Sequence, residues 1–209
     1  MMFKWILSIA GLIVFALLHS LLAGHGLKEW IQNNFPKFMP FYRVFYNLIS
    51  LIYLVLWYIF IPPPTYPIYS VPSPFAYILI AIQIMSIYFI YKSAQQFGSA
   101  RFFGIPQVLS YLKGGVYPEY YDEMKRGELV TSGIYRWVRH PLYTFSLLFL
   151  ITSPIMNTRI LTILIFAVLY FTIGSVYEER KLVERFGEAY KKYQREVPRL
   201  IPWKIPKTK

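Results

Sequence analysis

No cysteine occurs in the 209 residues, which excludes disulfides, thiolate metal sites and a cysteine nucleophile. Negative charge is scarce: ten Asp and Glu stand against 22 Lys and Arg, for a formal net charge of +12. Lys, Arg, Asp and Glu are all but missing from five stretches, about Trp5–Ala23, Val44–Ile61, Phe75–Tyr91, Leu142–Met156 and Ile160–Tyr177. Each runs for roughly 15–20 residues, near the length an apolar helix needs to cross a hydrocarbon core about 30 Å thick. The pattern predicts an all-α integral membrane protein of about five transmembrane helices, forming one structural domain overall.

In a soluble chain so basic a balance would point to nucleic acid. Here the positive-inside rule accounts for it, and no nucleic-acid partner is expected. With five spans, segments 24–43, 92–140 and 178–209 share one side and hold 3, 7 and 10 Lys or Arg, 20 of the 22. All ten acidic residues lie on that side too. The C-terminus and the working surface are therefore expected to be cytoplasmic. The first apolar run has a single basic residue before it, Lys4, and continues into a basic stretch, so it is read as a mature helix and not a signal peptide.

Along the chain, His19 falls at or near the inner edge of the first span, where an ionisable group faces other helices. The simplest expectation is a neutral ring bonded to a neighbouring helix. Leu27–Ile31 reads as an interfacial helical turn, and Pro36 and Pro40 reset the chain. The external segment Pro62–Pro74 has six prolines and no charge, a stiff connector. Gln95–Gly133 is a long polar interval without helical rhythm, rich in aromatics and a candidate lid. Its acidic patch, Glu119, Asp122 and Glu123, lacks histidine and ligand-like spacing, so it reads as a solvated face and no metal site is expected. After Tyr177 an amphipathic cytoplasmic helix is predicted from Glu178 to about Glu196, with Leu182, Phe186, Ala189 and Tyr193 on one face and Glu178 leading it. The chain so divides into a three-helix membrane part, residues 1–97, and a cofactor-binding part, residues 98–209.

The chemistry concentrates in Leu129–Tyr143, LVTSGIYRWVRHPLY, read with Glu178 and Glu179. Pro141 suits the first position of a helix, because its missing N–H would have no partner there. Arg139 and His140 then stand at a helix N-terminus, which attracts anions. Glu178 and Glu179, taken to begin another helix, add carboxylates for an ammonium or for ribose hydroxyls. Such a set suits S-adenosyl-L-methionine, and would also suit a nicotinamide dinucleotide.

The run Thr131–Tyr143 together with Glu178-Glu179, Phe186-Gly187, Tyr190, Tyr193 and Val197-Pro198 resembles the isoprenylcysteine carboxyl methyltransferase superfamily. His19-Ser20, Phe103–Gln107 and Glu178–Val183 are similar to its methanethiol S-methyltransferase and NnrU-like branch. The resemblance implies S-adenosyl-L-methionine as cofactor and a small thiol or lipophilic acceptor drawn from the lipid bilayer. It implies cofactor contacts at Tyr135, at His140, Pro141, Leu142 and Tyr143, and at Glu178 and Glu179, with backbone contacts from Glu128, Leu129 and Val130. Arg139 and His140 are the catalytic candidates, as cations favouring a thiolate. The carboxyl methyltransferases place a substrate-binding Arg four residues before the first Glu, where this chain has Gly174; a neutral or thiol acceptor fits that position better than a carboxylate. Membrane sterol reductases share the Arg-His-x-x-Tyr-type segment but carry Asp-x-x-Arg-Cys where this chain has Glu178–Leu182. A non-catalytic NnrU-like role has no evident use for so much buried charge.

Overall fold

The computed structural model describes residues 2–96, 103–115 and 129–204. The described chain is mostly helical, in two compact units, one of Met1–Pro64 with Phe97–Gly127 and one of Thr65–Gln96 with Glu128–Lys209. The third apolar helix thus groups with the C-terminal part of the chain and not with the first two.

In the first unit, helices α1 (Met2–Ala23) and α3 (Met39–Phe60) pack lengthwise, joined by the short helix α2 (His25–Asn34) and a 3-10 turn at Pro36–Phe38. Close approach is built in at Gly11, where an added Cβ would stand 2.7 Å from Trp57 Cδ1. Trp57 Nε1 donates to Ser8 O at 3.0 Å and Tyr53 OH to Gly11 O at 2.8 Å, so indole and phenol bind backbone across the helix pair. His19 is held as expected of a ring bonded to a neighbouring helix, by Tyr46 and Ser50 of α3. The polar interval is not devoid of helix: α5 (Ile105–Leu112) folds there and packs on α3, with Tyr111 edge-on to Phe41. The acidic patch at Glu119, Asp122 and Glu123 lies outside the described residues.

In the second unit, α4 (Phe75–Gln96) lies along α6 (Pro141–Ile151), Phe89 stacked on Phe145 at 4.6 Å and Gln83 Nε2 donating to Phe149 O at 2.9 Å. The proline-rich connector is not featureless. Its Pro67–Ser70 (β1) pairs antiparallel with Ile155–Asn157 (β2), in the turn between α6 and α7 (Thr158–Phe186). That small sheet closes the end of the unit away from His140.

Among the described residues, four helices are long and apolar enough to cross a membrane: Met2–Ala23, Pro36–Phe60, Phe75–Gln96 and Thr158–Phe186. Their apolar side chains are largely exposed on the isolated protein, Leu17 at 66% and Leu169 at 58% among them, as a hydrocarbon surround requires. The fifth apolar run does not become a full-length helix. α6 has 11 residues, about 16 Å, roughly half of the hydrocarbon thickness. It cannot lengthen at its start, where Pro141 opens it, nor at its end, where residues 155–157 are drawn into the sheet.

Two boundaries near Glu178 also differ from expectation. α7 runs without a break for 29 residues from an Asn157 cap, whose side chain accepts from Ile160 N. Glu178 and Glu179 are therefore mid-helix and do not begin one. The helix stops at Gly187, at φ 56° and ψ −129°, a conformation that costs glycine little. α8 (Glu188–Glu196) then starts afresh, and the break shifts the apolar register, so that Tyr190 is buried where Ala189 was expected.

Candidate active site

Backbone preparation comes first. A 3-10 turn at Gly133–Arg136 delivers Tyr135 into a cluster with Tyr190 and Tyr193, against which Leu129, Val130, Leu182, Val183, Phe186 and Val197 pack. Tyr193 OH donates to Tyr135 O. Burial raises the pKa of all three phenols, so they stay neutral and serve as packing with one polar handle each. Leu129 and Val130 are thus placed beside the site by side-chain packing. Glu128 lies outside the described residues.

The turn leads into Arg139 and His140, directly before α6. The Arg139 side chain is 7% exposed, and its Nε donates to Glu179 Oε1 at 2.7 Å. Arg139 Nη1 donates to Gln194 O at 2.8 Å and to Val197 O. Through these bonds the guanidinium ties α7, α8 and the segment beyond them together.

His140 lies between two carboxylates. Its Nε2 is 3.1 Å from Glu179 Oε1 and its Nδ1 3.4 Å from Glu178 Oε2. A carboxylate can only accept, so both contacts are satisfied together when the ring is an imidazolium donating from both nitrogens. Burial works against that charged form, but the bonds and charges of Glu178 and Glu179 outweigh it and hold the pKa above its ordinary value of 6.5. The ring lies parallel to Tyr143 at 5.4 Å, Tyr143 stacks on Phe171 at 4.6 Å, and Tyr143 OH donates to Glu178 Oε2 at 3.1 Å.

Helical spacing puts Glu178, not Glu179, on the apolar stripe led toward Leu182. The structure reverses their burial. Glu179 is 3% exposed and has Arg139, His140, Gln194 and Arg199 around it. The Glu178 side chain is 44% exposed, with Tyr143 and His140 on Oε2. One carboxylate is the keystone of the assembly and the other faces outward from it. Both stand on one rigid helix, α7, and Pro141 and Leu142 open α6 directly beside them.

Gln194, Arg199, Thr144 and Phe171 were not singled out from sequence. Gln194 Nε2 donates to Glu179 Oε2 at 2.9 Å, and Arg199 Nη2 lies 3.4 Å from the same oxygen. A buried carboxylate needs such partners, and that requirement is the one signal in the sequence that could have prompted a search for them.

Methanethiol S-methyltransferase 2 of Bradyrhizobium diazoefficiens is 30% identical over 192 residues, spanning 90% of this chain and 70% of the relative. The chain belongs to the methanethiol S-methyltransferase family. A second member of that family, from Pseudomonas sp. (strain GM41(2012)), is 30% identical over 190 residues, again with 90% and 70% covered. The phospholipid methyltransferase family model matches residues 108–189 of this family member. A protein-S-isoprenylcysteine O-methyltransferase of Schizosaccharomyces pombe is 40% identical over 77 residues, 35% of this chain and 33% of the relative. No solved structure matches the chain.

Proposed function

We propose that this family member transfers a methyl group from S-adenosyl-L-methionine to a small or lipophilic thiol, as an S-methyltransferase of the membrane. The observation that carries the reading is the paired arrangement of His140 between Glu178 and Glu179 at the start of α6, in a chain similar over nine-tenths of its length to methanethiol S-methyltransferases.

The donor set fits the cofactor. The first-turn N–H of Leu142, which has no acceptor within the helix, suits a carboxylate. The outward carboxylate of Glu178 suits an ammonium or ribose hydroxyls, and the Tyr143–Phe171 stack offers apolar, electron-rich surface to a sulfonium or a base. When bound, S-adenosyl-L-methionine supplies an already activated, electrophilic methyl group. The protein's task is then to orient the partners and exclude water. With a carboxylate at each ring nitrogen, His140 is favoured as a cation, which disfavours it as the base. Its charge favours the thiolate form of an acceptor, and the thiol's proton passes to water.

The likeness to the isoprenylcysteine O-methyltransferase covers a third of the chain and falls short of most of the two units, so it supports the methyl-transfer reading without extending to a carboxyl acceptor. In this reading α6 with its flanking turns makes a shallow fifth crossing, and the 20-to-2 distribution of Lys and Arg supports a cytoplasmic C-terminal helix and site. Calorimetric titration of the purified protein in detergent with S-adenosylhomocysteine, the expected product, tests the assignment. Binding that disappears in Glu178→Gln supports it, followed by methyl transfer to a thiol in preference to an isoprenyl-cysteine carboxylate. No binding, with NADPH raising the melting temperature instead, overturns it.

A further inference from the structure

Four consecutive carbonyls of the C-terminal segment are spent on one short stretch at the start of α6. Val197 O accepts from Arg139 Nη1, and Pro198 O accepts from Arg139 N at 2.9 Å. Arg199 O accepts from His140 N at 3.1 Å, and Leu200 O from Thr144 Oγ1 at 2.6 Å. The segment is a strap laid along residues 139–144. Beyond Pro198 it gains little from apolar burial, since Ile201 is 74% and Trp203 69% exposed. One side chain of the strap adds a further tie: Arg199 Nη2 stands 3.4 Å from Glu179 Oε2. The strap consequently reaches His140 by two routes, through the backbone N–H and through the carboxylate that accepts from the ring.

We propose that Arg199 is a positioning residue of this site, latching the strap onto Glu179 so that the His140 ring is held between its two carboxylates. The role as part of a methyl-donor pocket rests on the function proposed above, but the geometry and its first readout do not. The groups facing the ring are Glu178 and Glu179 from α7, Tyr143 from α6, and Arg139 and Arg199 beside Glu179.

The sign of one titration separates positioning from plain electrostatics. Were Arg199 merely a nearby cation, its removal would leave the carboxylates stronger and push the His140 midpoint upward. If Arg199 positions the ring, its removal lets the ring leave the carboxylates, and the midpoint falls back toward 6.5. The chain has three histidines, so nitrogen-15 imidazole resonances of the purified protein in micelles can be assigned by substitution and followed with pH. Arg199→Gln is expected to lower the midpoint and to weaken S-adenosylhomocysteine binding about tenfold, with Arg199→Lys recovering most of both. Thr144→Val, which removes the tie to Leu200 without changing charge, is expected to act in the same direction to a smaller extent, and it carries the test if Arg199→Gln fails to fold. An unchanged or raised His140 midpoint in a folded variant overturns the proposal, whatever happens to affinity. A lowered midpoint in a protein that never binds S-adenosylhomocysteine upholds the latch and overturns the donor assignment instead.

Discussion

His19 and His140 both have two side-chain partners, yet in opposite kinds of company. His19 meets hydroxyls. Ser50 Oγ donates to Tyr46 O at 2.8 Å, so it accepts from His19 Nδ1 at 3.0 Å, and the remaining ring nitrogen accepts from Tyr46 OH. One neutral tautomer satisfies every group there, with Phe15 stacked against the ring at 5.3 Å. His140 meets two carboxylates, and no neutral tautomer can satisfy both. Partner chemistry, more than depth in the fold, therefore decides which histidine is a fastening between helices and which is a fixed charge.

The comparison breaks most visibly at Glu179. Glu179→Ala leaves Arg139 buried without its carboxylate and should cost about 3–5 kcal/mol, read as a large drop in melting temperature or failure to purify as a monodisperse species. Glu178→Gln, by contrast, should keep the melting temperature near wild type while reducing S-adenosylhomocysteine affinity roughly ten- to hundredfold, because a half-exposed carboxylate is lost from the ligand side. Equal effects of the two substitutions would erase the distinction between keystone and outward carboxylate.

A pH series sharpens the contrast. The folded pKa of His140 lies above its ordinary 6.5, so its contribution to stability is complete below that value and is lost as pH rises through the folded pKa. Melting temperature should fall over that window in the wild type, and the step should vanish in His140→Gln. The smallest effect is expected at His19→Gln, about 1 kcal/mol from neutral hydrogen bonds, with the pH step intact. A His19 variant that abolished the step would mean that the wrong histidine had been assigned the charge.

Much of this was legible in the chain. Hydrophobic length marks five runs, four of which become helices long and apolar enough to cross a membrane, and the basic, proline-stopped run at 136–141 with its distant Glu pair marks residues that the fold brings together. Three features were not legible, for separate physical reasons. Helical periodicity passes smoothly across Gly187, because a pattern of side chains does not report a backbone angle of φ 56°. Composition does not reveal that residues 155–157 pair with β1 some 90 positions earlier, so the fifth apolar run looked longer than the helix it forms. Spacing ranked Glu178 as the inward residue, whereas burial follows partners: Arg139, Gln194 and Arg199 converge on Glu179 from elsewhere in the sequence.

The uninterrupted run of α7 has a mechanical consequence. Its 29 residues form a rod of about 43 Å, longer than the hydrocarbon slab of roughly 30 Å. Both carboxylates are fixed to that rod, beyond its apolar length and before its first break. A bilayer that thickens or thins must shift or tilt the rod to keep the apolar part covered. The lipid composition thereby sets how far above the membrane edge the charged cluster stands.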